Sequence, residues 1–365
     1  TSAGVKLGIN PGDAYHEFKV VAVNASLPTE GLAFTYDATS DGYVVSSYTG
    51  DAKNIYIPAS YNGTDGEKKV TGIAANAFEG KKIISVSFPE TLESVGDGAF
   101  KGAVLHNDIT FPVLKSFGKG VFENATTAVS YADDDEEQAS PIYASIKIIF
   151  TSGENSFTEL DGNVLGNGKG ITEIVLPDQV TKIAAREESG IVGNDLTKID
   201  LSKVTEVGDN AFSGSDKLAN VGSLANVAVV GKNAFRGTAI TELDMQNLKS
   251  VGENAFAEMK SLVRAYIAFA AKAEGEGYET FDLTVFAGDS AVTEIGLGDN
   301  IGTITSSGEN LALSSLVKIT LGKNATSFGV VATALPSLEA VAVSENNAVL
   351  TAKDGVLFAK DGDGY

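Results

Sequence analysis

The chain alternates apolar and polar positions in short runs that return at a nearly constant interval. Val86-Ser87-Phe88, Ile109-Thr110-Phe111, Ile174-Val175-Leu176, Ile199-Asp200-Leu201 and Leu243-Asp244-Met245 are such runs. Ile295-Gly296-Leu297, Ile319-Thr320-Leu321 and Val341-Ala342-Val343 continue the series. Alternate side chains of an extended chain share one face, so each run predicts a strand with one buried side. Pro89, Pro112 and Pro177 close several of them, where a missing N–H is tolerated. Each run follows an apolar anchor by about ten residues. Asn-Ala-Phe occurs at 76–78, 210–212, 233–235 and 254–256, with Gly98-Ala99-Phe100, Gly120-Val121-Phe122 and Asn163-Val164-Leu165 as variants. A Val-Gly pair usually stands just before the anchor, as in Val95-Gly96, Val207-Gly208, Val230-Gly231 and Val251-Gly252. Successive anchor phenylalanines are 22, 22, 23 and 21 residues apart. From Phe122 to Leu165 the step is 43 residues, close to two periods, which predicts a degenerate repeat hidden between them.

One period is thus a strand, a turn, a short helical or irregular segment carrying the Phe, and a return. A unit this small cannot bury its apolar face alone, but stacked units share a continuous core. The pattern predicts an α/β solenoid, a right-handed coil with one parallel β-sheet. At about 4.8 Å per rung, about 11–12 rungs make a body on the order of 50 Å long. The anchor phenylalanines should stack from rung to rung opposite the sheet. Residues 1–45 lack the repeat. Phe18-Lys19-Val20-Val21-Ala22-Val23, Leu32-Ala33-Phe34-Thr35-Tyr36 and Tyr43-Val44-Val45-Ser46 read as strands between turn residues, and so as a small N-terminal β cap or β module. The solenoid is expected over 46–365, with an acidic insertion at about 123–145.

Stretches such as Val251-Gly252-Glu253-Asn254-Ala255-Phe256 and Ile171-Thr172-Glu173-Ile174-Val175-Leu176-Pro177 resemble the BspA-like leucine-rich repeats of surface and secreted proteins from gut and oral bacteria. Gly42 to Pro58 resembles the usual first repeat of such domains, and Asn346 to Phe358 the family's inter-repeat segment. The resemblance spans about residues 34–358. It implies the leucine-rich-repeat fold and a secreted or cell-surface location, with adhesion or protein binding in some members. Departures are local. Arg186-Glu187-Glu188-Ser189-Gly190 replaces the Asn-Ala-Phe tripeptide, and the rungs near Phe286, Leu313 and Leu335 are degenerate.

Charge narrows the partners. The 365 residues carry 27 Lys and Arg against 48 Asp and Glu, a formal net charge of −21. Nucleic acid and anionic membrane surfaces need cations on the protein, so neither is an expected partner. The apolar run Ala265–Ala271 lies between Arg264 and Lys272, far short of the roughly 20 residues of a spanning helix, so no direct membrane insertion is expected. No signal segment is visible at Thr1-Ser2-Ala3-Gly4, as in a trimmed mature form. Cys is absent, which excludes disulfides, thiolate metal sites and a thiol nucleophile. An acidic, Cys-free chain fits an extracellular or surface-attached protein and a monomer.

Catalytic patterns do not assemble. His16 and His106 are the two histidines, 90 residues apart and in different units. Gly166-Asn167-Gly168-Lys169-Gly170 fails as a phosphate loop, because Asn163 stands where the first Gly is needed and Gly170 follows the Lys. It reads as a tight turn. The acids Asp133–Glu137 are contiguous, unlike the spaced ligands of a calcium loop, and read as a solvated loop. No metal, no cofactor and no enzymatic activity is expected.

The exposed side of the strands can be followed rung by rung. The column Ser85, Asp108, Lys147, Glu173, Lys198, Asn220, Glu242, Arg264, Glu294, Lys318, Ala340 places no two like charges side by side from Asp108 to Lys318. Opposite charges across strands fix register. The excess acid should then lie on loops and the convex side. The next outward column carries one aromatic, Tyr266. Tyr266, Arg264, Asp244 and Glu242 form the candidate interaction patch, since aromatic and Arg side chains anchor interfaces. The function expected is a non-enzymatic adhesion or protein-interaction module with a protein or glycan ligand. The alternatives are a structural spacer holding another module off the cell and, last, a glycan hydrolase.

Overall fold

A computed structural model describes residues 27–131, 141–186, 194–271, 273, 276–306, 311–330 and 332–360. The alternating runs form a parallel ladder, strand on strand, through a β-solenoid of about 12 turns. Ile109–Phe111, Ile146–Phe150, Ile171–Val175 and Lys198–Ile199 pair in that order, and Glu242–Leu248, Arg264–Phe269, Glu294–Leu297, Lys318–Leu321 and Ala340–Val343 form a second series. A bridge from Lys198 to Asn220 continues the first series by one turn. The register matches the column read from sequence. Lys147 faces Glu173 and Glu173 faces Lys198. Glu242 faces Arg264, which faces Glu294, which faces Lys318. The apolar partners of each run, such as Leu243, Met245, Ala265, Ile267, Ile295 and Leu297, are buried.

The anchor segment is a turn whose geometry explains its composition. Asn76, Asn210, Asn233 and Asn254 have φ between 53° and 57°, and Gly98 and Gly120 have 60° and 54°. That left-handed region is open to Gly and tolerated by Asn, which is why the two alternate at this position. The turn aims its last residue into the core. Phe78, Phe100 and Phe122 stack at centroid distances of 5.1 and 5.5 Å. Phe212, Phe235, Phe256 and Phe286 continue at 5.6, 6.1 and 5.6 Å.

The Val-Gly pair forms a further parallel ladder. Glu159–Leu160, Lys182–Ile183, Glu206–Val207, Val229–Val230 and Ser250–Val251 lie side by side. The glycine then runs against the previous turn's backbone. A Cβ on Gly231 would sit 2.4 Å from the Asp209 nitrogen and 2.6 Å from the Gly208 carbonyl carbon. Backbone cannot yield as a side chain can, so Gly231→Ala should cost about 1–3 kcal/mol. Urea denaturation checks this, and unchanged stability would refute the close approach.

The solenoid is as expected, but three details differ. The helical component is missing: among the described residues only Leu283–Phe286 and Ala332–Ala334 are helical, each a short 3-10 segment. Positive φ inside the anchor tripeptide prevents a continuing helix. The sheet is not single, because the short extended pieces on the other sides also pair, as in Lys82–Ile83, Val104–Leu105 and Thr126–Thr127. No extra repeat hides between Phe122 and Leu165. The Phe122 N–H donates to the Val164 carbonyl at 2.9 Å, so these turns are direct neighbours. The surplus chain leaves the coil as an antiparallel pair, Val129–Tyr131 with Pro141–Tyr143.

At the start, Leu32–Asp37 pairs antiparallel with Gly42–Tyr48, which pairs parallel with Gly66–Ile73. The strand expected at Phe18–Val23 and the acids Asp133–Glu137 lie outside the described residues. Near the other end the buried Asn347 amide donates to the Gly322 and Ala325 carbonyls and accepts from the Val349 and Leu350 N–H groups. It ties the hairpin Leu350–Lys353 and Val356–Ala359 to the preceding turns.

Candidate functional site

The outward side of the main ladder is a plane of alternating charge with few large side chains. Lys147 and Lys198 grip Glu173 from both sides at 2.7 and 2.8 Å, and these hydrogen bonds hold its carboxyl below the usual carboxylate range. Arg264 pairs with Glu242, and Lys318 lies 3.8 Å from Glu294. All four of these groups are well exposed, so each pair adds under about 1 kcal/mol. Their consequence is local neutrality along the ladder. Part of the excess acid is used elsewhere to satisfy backbone. Asp97, Asp209 and Asp299 each accept the N–H of a lysine one turn on, Lys119, Lys232 and Lys323, at 2.7–2.9 Å.

The four patch residues come together on two adjacent strands. Glu242 is opposite Arg264 and Asp244 is opposite Tyr266. Tyr266 is 43% exposed, and its ring lies over the neighbouring strand at a place where that strand has no side chain. A Cβ at Gly296 would be 2.9 Å from the Tyr266 Cδ2, and one at Gly298 3.3 Å from its hydroxyl. The tilted ring, Asp244, Arg264, Glu294 and Thr320 border a depression of about 310 Å³. Burial against the sheet raises the Tyr266 pKa above the ordinary phenol value, aided by the nearby charges of Asp299 and Asp244. The phenol therefore stays neutral through the physiological range. Gly296, which stands next to Tyr266 in the outward column, belongs to this site, as do Gly298 and Asp299, which the column pattern did not mark. For Gly296 the signal was present, since glycine follows tyrosine at one column position on consecutive rungs.

Other candidates are placed as follows. His106 is exposed, and His16 lies outside the described residues. Gly166–Gly170 is a turn, with the Gly168 N–H on the Leu165 carbonyl and the Gly170 N–H on Asp195. Arg186 takes the position of the anchor asparagine. Its N–H donates to the Asp209 carbonyl as that of Asn210 does to Lys232, and its buried guanidinium donates to the Ser213 carbonyl at 2.9 Å. Among the described residues no group of three His, Asp or Glu side chains could hold a metal ion. No helix there is long and apolar enough to cross a membrane.

The repeating turn and its ladder define a leucine-rich-repeat solenoid. The profile of the BspA type leucine rich repeat region matches residues 71–187 and 187–307 in six copies, and the chain belongs to that family. A leucine rich cell surface protein from Faecalibacterium prausnitzii is similar at 17% identity, over 83% of this chain and 94% of that one, with a TM-score of 0.39. A leucine-rich repeat protein from Bacteroides ovatus shares 14% identity over 86% and 89% of the two chains, TM-score 0.42. The pneumococcal vaccine antigen PcpA shares 15% over 87% and 84%, TM-score 0.30. No curated protein matches the chain significantly.

Proposed function

We propose that the protein is a non-catalytic, secreted or surface-borne interaction module that presents the outward side of its main ladder to a macromolecule. The observation that carries this reading is the Tyr266 depression. It is an exposed aromatic held by glycines in an otherwise small-residue, charge-neutralised plane. Family membership supports a binding role. Aromatic and arginine side chains at the centre of a patch supply most of an interface's energy. Tyr266→Ala with Arg264→Ala should weaken binding to a responsive ligand by at least tenfold, about 1.4 kcal/mol, without lowering thermal stability by more than a few degrees. Protein and glycan arrays screened with the intact chain and the double variant test it. Ligands retained equally by both would locate binding elsewhere. The absence of any ligand would favour a spacer role.

A further inference from the structure

The ladder face around Tyr266 carries two rows of side chains running across the strands, with an ion pair beyond them. In the first row Glu242, Arg264, Glu294 and Lys318 neutralise one another in two ion pairs. Just beyond the second row, Asp299 is matched by Lys323 at 3.4 Å. The second row is Asp244, Tyr266, Gly296, Thr320 and Ala342, in register across successive strands. Its one charge is Asp244. That carboxylate takes two hydrogen bonds from the Gln246 amide, at 3.0 and 3.1 Å. Among the described residues it enters no ion pair. The row's one charge, outside any ion pair among the described residues, therefore stands on the strand next to the row's one aromatic ring.

A carboxylate and the negative face of an aromatic ring favour the same ligand group, a cation. Beyond the ring the row is floored by small residues. Tyr266 to Ala342 spans three strand spacings, about 14 Å, the length of about four extended residues. The protein's charge of −21 adds long-range attraction for a basic partner. We infer that the second row is a docking groove for an extended basic segment of a partner protein. An Arg or Lys head would sit between the Tyr266 ring and Asp244, and the segment's main chain would pass over the ring that covers Gly296 and on across Thr320 and Ala342.

This deepens the interaction reading and rests on it. The test is an NMR titration of the intact protein, with labelled tyrosine rings, by acetyl-Gly-Arg-Gly-Arg-Gly-amide. The glutamine analogue and a neutral disaccharide serve as parallel probes. The Arg peptide should shift the Tyr266 ring signals saturably, and the glutamine peptide should not. Tyr266→Phe should keep the affinity, while Tyr266→Ala and Asp244→Asn each lower it at least tenfold. Asp216→Asn, an exposed acid far from the row in sequence, should leave it unchanged. Equal weakening by Asp216→Asn would reduce the effect to bulk charge and overturn the groove. So would a Tyr266 response to the disaccharide alone, which would make the ring a sugar platform and leave the interaction reading standing. A Tyr266 signal that no probe moves would reject the basic segment, while the arrays decide separately whether the module binds at all.

Discussion

Phe235→Ala should lower the unfolding free energy by about 3–5 kcal/mol. Phe235 has no exposed surface and lies between Phe212 and Phe256 at 5.6 and 6.1 Å. The missing ring would leave a cavity walled by two other rings, each fixed by its own neighbours, so the site can collapse little. Position adds to the cost. In a stack each turn touches only the turns before and after it, and Phe235 sits in the middle of a run of four stacked rings. Its loss weakens both contacts at once. The urea transition should move to lower denaturant and broaden as the two halves uncouple. Tyr278→Ala is the control, since Tyr278 is 52% exposed and should change stability by less than about 0.5 kcal/mol. Equal effects of the two substitutions would mean that the ring column is not the core.

The period and the inward positions were legible because both follow from one requirement. A turn that must stack on its copies repeats its apolar residues at fixed places. Lys147, Glu173 and Lys198, or Glu242, Arg264 and Glu294, align into a column by their spacing alone, and they are register partners. The tripeptide was visible too, but its cause lay in the φ of Asn76 and Gly98, and without that the segment read equally as a helix. The 43-residue step misled because length alone cannot distinguish an added turn from a loop. The Phe122 to Val164 hydrogen bond decides it. At the candidate site the sequence singled out Tyr266 by its column. It could not show that the ring bends over Gly296, nor that Asp299 lies close enough to act on the phenol. Those are contacts between rungs 30 or more residues apart, and their outcome depends on rotamers.

Asp289→Asn should stabilise the protein at neutral and alkaline pH, by an amount that grows with pH. Asp289 has no accessible surface. Burial, with the charge of Glu258 nearby, pushes its carboxyl up to about 9 despite the Met259 N–H donating to it. Its Oδ2 has no hydrogen-bond partner. The acid stands there because of a local irregularity. Glu258 takes φ 58° where other turns carry Gly80, Gly214 or Gly237. The Met259 N–H then turns to the Asp289 Oδ1 at 2.6 Å, whereas Ser215 and Thr238 donate to the carbonyl of their own turn's phenylalanine. An amide oxygen can serve as that acceptor without ionising. The sign follows from proton counts. The unfolded group loses its proton near 3.8 while the folded one holds it to about 9. Its contribution to stability is therefore full below pH 3.8 and falls by about 1.4 kcal/mol per pH unit until the folded group ionises. Carboxylates such as Glu173 and Asp200, held below their ordinary range by hydrogen bonds, act in the opposite sense and lose stability as pH falls through the acid range. They titrate alike in both proteins and cancel in the difference. Melting curves of the parent and Asp289→Asn should therefore diverge from pH 5 to pH 9, with the variant higher by on the order of 3–5 kcal/mol at pH 7.5 before roughly 1–2 kcal/mol is lost to the buried amide donors. Parallel curves across that range would mean that Asp289 is ionised in the folded protein, and that the turn around Met259 opens to water.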